Sequence, residues 1–274
     1  MGRLANKVAI ITGGAGGIGA ATGLLFCEEG ARVALVDSDR AAMDATLADI
    51  RTKAPGAKVT GIVADVAREE AAAAAVGTAR DALGRIDVLV NLAGIRAYEP
   101  LGESKAETWD RILEVNFLSY VWFIKAALAD LRASGRGSVV NVSSTHGVNP
   151  RGGTGQYDAT KAAIISMTKT LAFEEAKHGL RANAVCPGLT ITPFHRKRFA
   201  AAGRTEDDIL QQGRDGCLLA RWAEPREAAY PILWLASDEA SYVTASVLMV
   251  DGGRFVKHGL SLPGSGVRGM PGAK

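Results

Sequence analysis

The stretch from Lys7 to Asp37 constrains the fold of this chain more than any other. Lys7-Val-Ala-Ile-Ile-Thr12 is a short, β-branched apolar run that stops at glycines. Such a run suits a strand buried on both faces. Thr12-Gly-Gly-Ala-Gly-Gly-Ile-Gly19 follows, and Ala20–Glu29 reads as a helix closed by Gly30. Arg32-Val-Ala-Leu-Val-Asp37 is a second buried strand, ending on an acid eighteen residues past Gly19. Strand, glycine turn, helix, strand and acid in this order form a parallel βαβ unit of the mononucleotide-binding kind. Gly13, Gly17 and Gly19, with Ile18 among them, allow a tight turn and a close approach of backbone N–H groups to a pyrophosphate. The phosphate then meets the positive end of a helix. The spacing Gly-x-x-x-Gly-x-Gly differs from the commoner Gly-x-Gly-x-x-Gly, and a glycine cluster alone also makes an ordinary turn. The strand–helix–strand context and Asp37 select the nucleotide reading.

Asp37 can accept hydrogen bonds from both hydroxyls of an adenosine ribose and would repel a 2′-phosphate. No basic residue lies within Gly13–Gly19, and Asp39 adds negative charge. The cofactor expected is therefore NAD rather than NADP. Arg40 is the one residue that argues the other way, because an arginine just past the strand can reach a phosphate; a solvated side chain at the start of the next helix is its alternative role.

The alternation of strands and helices continues. Strands are expected at Lys58–Ala64, Ile86–Asn91, Ser138–Ser143, Leu180–Cys186 and Ser246–Val250. Helices are expected at Ala41–Ala54, Glu69–Leu83, Trp109–Ala133, Tyr157–Lys177 and Pro225–Ser237. The segment 189–223 breaks the rhythm with mixed, partly basic sequence and reads as a substrate loop or lid. Leu260–Lys274 has four glycines and two prolines and reads as an irregular tail. The length of 274 residues fits one α/β domain over 1–259. A formal charge of +3 and the absence of a basic–aromatic stretch give no reason to expect nucleic acid as a partner. Cys27, Cys186 and Cys217 lack any Cys-x-x-Cys spacing, so neither a metal site nor a disulfide framework is expected. No signal-like start and no apolar run approaching about 18 residues is seen, so neither export nor a membrane span is expected, and the cytoplasm is the default location.

The candidate chemistry lies later in the chain. Tyr157-Asp-Ala-Thr-Lys161 places a tyrosine and a lysine one helical turn apart on one face. A free phenol titrates near pH 10, and a neighbouring ammonium favours the phenolate, which makes a usable base. Ser144, thirteen residues earlier at the end of a strand, can hold the oxygen of an alcohol or ketone. Ser143 is its competitor. Asn116 sits mid-helix between apolar neighbours, where an amide needs partners if buried. It is either a satisfied core asparagine or part of a site.

Taken together, Thr12–Gly19, Asp65, Asn91-Leu-Ala-Gly94, Asn116, Ser144, Tyr157 and Lys161, Pro187-Gly188 and Asp251-Gly-Gly253 resemble the short-chain dehydrogenase/reductase family over roughly Lys7–Gly253. The resemblance implies a single Rossmann-type domain with a seven-stranded, doubly wound parallel sheet. It implies that Asp65 and Val66 lie beside the adenine and that Asn91, Ala93 and Gly94 line the cofactor. It further implies that, after Pro187 and Gly188, the Leu189 backbone and the Thr192 hydroxyl hold the nicotinamide amide. The catalytic residues it implies are Asn116, Ser144, Tyr157 and Lys161. Tyr157 moves the alcohol proton, Ser144 holds the substrate oxygen, Lys161 acts on Tyr157 and binds the nicotinamide ribose, and Asn116 holds a relay water. Leu92 stands where the family more often has asparagine or alanine. The resemblance also implies a homotetramer or homodimer, with Trp109–Ala133 and 155–177 as packing surfaces.

The reaction expected is NAD-dependent oxidation of a secondary alcohol, diol or sugar-like hydroxyl to a ketone. An NADPH-dependent carbonyl or 3-oxoacyl reductase is the alternative, and a nucleotide-binding regulatory protein without turnover is a third reading. Arg96, His146, Asn149, Arg151, Leu189, Phe194 and His195, with loop residues up to Trp222, are expected to border the substrate. The basic residues among them, and Arg196–Arg198, either pair with an anionic group or are solvated surface charges.

Overall fold

Alternate residues of the buried strands face opposite ways, and each face meets its own layer of helices. The computed structural model describes residues 2–257, so the tail expected at 260–274 lies outside the described residues. All five residues of β1 (Val8–Thr12) are buried. Ala9 and Ile11 enter one core while Val8 and Ile10 enter the other. β2 (Arg32–Asp37) divides in the same way, Val33 and Leu35 against Ala34 and Val36. Burial on both sides is why these strands read as continuous apolar runs. Each fully buried Val, Leu or Ile contributes about 1.5–3 kcal/mol.

With β3 (Val59–Val63), β4 (Val88–Asn91), β5 (Ser138–Val142), β6 (Arg181–Pro187) and β7 (Val247–Val250), these strands form one parallel sheet in the order β3-β2-β1-β4-β5-β6-β7. Between them run α1 (Gly17–Glu28), α2 (Arg40–Lys53), α3 (Glu69–Leu83), α4 (Ala106–Leu113), α5 (Ser119–Ala133), α6 (Gly155–Glu175), α7 (Pro193–Ala201), α8 (Glu206–Gly216) and α9 (Pro225–Ala236). A single turn, α10 (Arg254–Lys257), follows β7. Helices α1, α2 and α9 supply one core and α3, α5 and α6 the other. Strand order reverses between β1 and β4, and ligands of such sheets bind at the carboxyl ends of the strands flanking that reversal. Thr12 ties the two ends together: its Oγ1 accepts the N–H groups of Leu92 at 3.0 Å and Ala93 at 3.2 Å.

Two expectations need correction. Trp109–Ala133 is not one regular helix: α4 and α5 are joined by a π-turn over Glu114–Leu118. A π-turn widens the helix and changes which side chains face inward, and here Val115 and Asn116 are both buried. The composite helix Ala106–Ala133 is also long and apolar enough to cross a membrane by length and composition, with a mean hydropathy of 1.4 over 18 residues. Its apolar side chains have another destination, since Phe123, Ala127 and Leu131 are fully buried in the core of the sheet. Phe123 is therefore core and not a packing surface between subunits. Trp122 packs partly on that core, with the Lys125 ammonium 5.9 Å above its ring.

The second correction concerns 189–223, which is largely helical. Helix α8 opens on a reciprocal cap: Thr205 Oγ1 accepts the Asp208 N–H at 3.2 Å, and Asp208 Oδ2 accepts the Thr205 N–H at 2.8 Å. Ile191, Phe199 and Ile209, with Trp222 against them, form a small core of their own. Trp222 Nε1 donates to the Ile209 carbonyl at 3.0 Å and locks that lobe.

Candidate active site

Two cavities meet at the carboxyl edge of the sheet. The first, about 290 Å³, runs past Gly13, Gly16, Asp37, Asp65, Val66 and Ala93. The second contains Ser144, Tyr157, Lys161 and Thr192. Leu92 and Gly94 border both. The expected cofactor residues and the expected chemistry thus adjoin without further assumption.

The lining of the first cavity suits the adenosine end of a dinucleotide. Gly13 has φ +67°, and a Cβ there would lie 2.9 Å from Ala93 Cα. At Gly19 a Cβ would lie 2.0 Å from the Gly13 carbonyl oxygen. Any side chain at either place would force the turn open. Gly17 and Gly19 stand behind this surface; Gly17 packs against Thr192, which brings the glycine turn to the far cavity. Asp37 Oδ2 accepts the Ala15 N–H at 3.0 Å and Oδ1 the Asp39 N–H at 3.2 Å. Its carboxylate is thereby held at the mouth of the turn. Asp39 caps α2 through the Ala42 N–H, and Arg40 is an exposed first residue of that helix. Partial burial acts to raise the Asp65 carboxyl, but the Ala67 N–H and the Arg111 guanidinium outweigh it and hold it below the ordinary carboxylate range.

In the second cavity Lys161 is 4% exposed. Its Nζ donates to the Val142 carbonyl at 2.9 Å and to the Tyr120 hydroxyl at 3.4 Å, both neutral oxygens. Burial, and then repulsion from Arg96, pushes this lysine down to about 7. Burial pushes the Tyr120 phenol the other way, well above its usual range. Lys161 Nζ stands 5.7 Å from the centre of the Tyr157 ring. The Arg96 guanidinium lies over that ring at 4.5 Å, and His146 meets it edge-on at 5.9 Å. Among the described residues no group hydrogen-bonds the Tyr157 hydroxyl.

The two serines have separate tasks. Ser143 Oγ donates to the Lys161 carbonyl at 2.6 Å and anchors α6. Ser144 Oγ accepts the His146 N–H at 3.2 Å and keeps its own proton for the cavity. Asn116 is fully buried and lines neither cavity. Its Oδ1 accepts the Ile95 N–H at 2.7 Å, and its Nδ2 donates to the Ile95 carbonyl at 2.9 Å and to Thr160 Oγ1 at 3.3 Å. The π-turn places this amide so that it clamps the chain after Gly94 to α6. Asn91 is buried too; its Nδ2 donates to Asn141 Oδ1 at 3.0 Å.

Pro187, Gly188, Ile18 and Thr192 line the second cavity as expected, but Leu189 does not. The Leu189 carbonyl accepts the Ala223 N–H at 2.8 Å and its side chain packs against Gly216. Thr190 faces the cavity instead, with its buried Oγ1 lacking a hydrogen-bond partner. The strand-like alternation after Pro187-Gly188 was the available signal for Thr190. The Thr192 hydroxyl and His195 Nδ1 share a 2.8 Å hydrogen bond. Burial, with Arg96 and Arg198, pushes His195 down to about 4. His146, whose Nδ1 pairs with Asp158 Oδ1 at 2.8 Å, is also lowered by burial despite that carboxylate. Arg96 reaches the catalytic cavity, Arg151 and Trp222 border a neighbouring one, and Phe194 is half exposed with its ring edge-on to His195.

The chain resembles known proteins over most of its length. The family profile described as "Enoyl-(Acyl carrier protein) reductase" matches residues 13–254. The chain is 38% identical over 251 residues to 2,5-dichloro-2,5-cyclohexadiene-1,4-diol dehydrogenase of Sphingobium indicum, covering 92% of this chain and 97% of that one. It is 40% identical over 251 residues to 3-oxoacyl-[acyl-carrier-protein] reductase of Thermotoga maritima, covering 92% and 98%. The solved L-sorbose reductase of Gluconobacter frateurii, complexed with NADPH and L-sorbose, superposes with a TM-score of 0.88 at 31% identity, covering 92% and 97%.

Proposed function

The chain belongs to the short-chain dehydrogenase/reductase family, whose members here act on hydroxyl or carbonyl groups, and we propose that it oxidises a secondary alcohol to a ketone with NAD⁺. The observation that carries this reading is the junction of the two cavities at Leu92 and Gly94. A cofactor lying in the first would present its nicotinamide end to Ser144, Tyr157 and Lys161 in the second. When bound, the nicotinamide supplies the hydride acceptor.

The chain's own residues handle the rest. Ser144 donates its free hydroxyl proton to the substrate oxygen and orients it. Tyr157 takes the proton from that oxygen during oxidation and returns it during reduction. Lys161 brings a cation beside Tyr157 within a dry site, where charge interactions are strong. Its place near the ring also suits it to hold the nicotinamide ribose. Asn116 fixes the Ile95 backbone and α6 relative to each other, which holds Gly94 and Lys161 in register. A Cβ at Gly94 would stand 3.4 Å from Asn116 Oδ1 and 3.6 Å from Lys161 Nζ. The buried, unpartnered Thr190 hydroxyl suits the carboxamide of the nicotinamide.

Asp37 supports NAD over NADP. Its carboxylate is fixed at the edge of the glycine turn, and the basic residue bordering that cavity, Arg111, pairs with Asp65 at 3.2 Å. Phe173, 88% exposed on α6, supports assembly as a dimer or tetramer through that helix. The deciding experiment is a screen of secondary alcohols with NAD⁺ and NADP⁺, read by absorbance of the reduced cofactor. Oxidation with NAD⁺ preferred is expected. Turnover confined to carbonyl reduction by NADPH would select the reductase reading, and cofactor binding with no turnover in either direction would select the regulatory one.

A further inference from the structure

A third cavity opens beside the catalytic one, sharing Arg96, Ser144, Gly188 and His195 with it. Four arginines border it from four separate segments: Arg96 after β4, Arg151 before α6, Arg198 on α7 and Arg254 on α10. No aspartate or glutamate lines it. None of the four arginines is in a salt bridge among the described residues. Their neighbours differ: Arg196 pairs with Glu206 at 3.7 Å, and Arg221 with Glu227 at 2.7 Å. The Arg151 backbone N–H donates to Asp158 Oδ2 at 2.9 Å, but the side-chain partners of the four are neutral. Arg96 and Arg198 lie over the rings of Tyr157 and Tyr98, and Arg254 Nη1 donates to the Gly216 carbonyl at 3.1 Å. Gln212, also on this cavity, has a buried Oε1 without a partner.

Four like charges around one space repel one another, and among the described residues no carboxylate lines that space to offset them. Neighbouring groups register the same field. Burial lowers Arg254 itself, with Arg151 adding to it, and His195 and His146 are pushed down partly by Arg96, Arg198 and Arg151. Planar guanidinium forks match a carboxylate, which can accept two parallel hydrogen bonds from each.

We infer that the substrate is a hydroxy acid, whose carboxylate is held by Arg96, Arg151, Arg198 and Arg254 while its secondary hydroxyl meets Ser144 and Tyr157. This rests on the hydride-transfer reading above. In the balanced reaction the carbinol C–H leaves as hydride to NAD⁺ and the O–H proton goes to Tyr157. The C–O bond becomes C=O, and the hydroxy acid becomes an oxo acid.

The test pairs 2-, 3- and 4-hydroxypentanoate, each against its own carboxamide, which keeps shape and removes charge. At least one acid is expected to exceed its amide about 10- to 100-fold in kcat/KM, the range of one charged hydrogen bond. In the Arg151→Gln/Arg198→Gln double variant that ratio should fall toward one. Both side chains are exposed, so the fold is not at risk. Equal efficiency on acid and amide, or a ratio unchanged in the double variant, overturns the carboxylate site while leaving hydride transfer standing. A separate arm needs no turnover: pentanoate should raise the melting temperature of the NAD⁺-loaded enzyme more than pentanamide does. Equal shifts overturn the proposal; unequal shifts with no oxidation of any alcohol keep the site and sink the hydride-transfer reading.

Discussion

Replacing Lys161 by methionine should make the cofactor-free protein less sensitive to pH, and the size of the effect follows from its surroundings. Lys161 has no carboxylate partner, and its hydrogen bonds go to two neutral oxygens. Folding lowers its pKa from the ordinary 10.5 to about 7. Between those values the unfolded chain binds a proton that the native chain does not, so native stability rises with pH through that window. Below about 7 both states are protonated and the penalty is constant, near 5 kcal/mol at its full extent. Methionine removes the titrating group, fills similar space, and leaves the Val142 carbonyl its hydrogen bond from Tyr120 at 2.9 Å. Denaturant unfolding of both proteins across pH 6 to 9 should show the wild type gaining roughly 2–3 kcal/mol relative to Lys161→Met. Other titrating groups are common to both proteins and cancel in the difference. Parallel profiles, or a wild type that loses ground as pH rises, would refute the claim that this site holds an under-compensated ammonium.

Three further outcomes are expected. Tyr157→Phe should lower turnover by about 10² to 10⁴-fold or more while calorimetry finds NAD⁺ affinity nearly unchanged; rates near wild type would remove Tyr157 from the chemistry. Asp37→Asn keeps an oxygen for the Ala15 N–H but deletes the charge, so the NADP⁺/NAD⁺ ratio of kcat/KM should rise about tenfold or more, and an unchanged ratio would show that Asp37 does not read the ribose. Gly19→Ala sets a methyl 2.0 Å from the Gly13 carbonyl oxygen, so NAD⁺ affinity measured by titration should fall at least about tenfold; unaltered binding would show that this turn does not carry the phosphate.

The sheet and the glycine turn were legible because the central strands β1, β2, β4, β5 and β6 are buried on both faces and the strands are punctuated by glycine, proline or a helix cap. Asp37, Ser144, Tyr157 and Lys161 could be placed from spacing and chemistry at strand ends and on one helix face. The π-turn was not legible, since no residue type in Glu114–Leu118 signals a widened helix; only the misfit of Asn116 hinted at it. Helices α7 and α8 were masked by mixed composition, although Thr205 and Asp208 stand at the spacing of a reciprocal cap. Arg254 gave no sign in the sequence, because its partners come from segments more than fifty residues away or on other elements of the fold. The Thr190 hydroxyl went unnoticed because the expectation at this point rested on the Leu189 backbone, and in an extended segment neighbouring side chains face opposite sides.

The small core of Ile191, Phe199, Ile209 and Trp222 stands apart from the two cores that sandwich the sheet. The packing of this lobe is therefore separable from that of the sheet. Under the proposed function, substitutions in this lobe would alter the wall that Phe199 and Trp222 give the third cavity while leaving both sheet cores untouched.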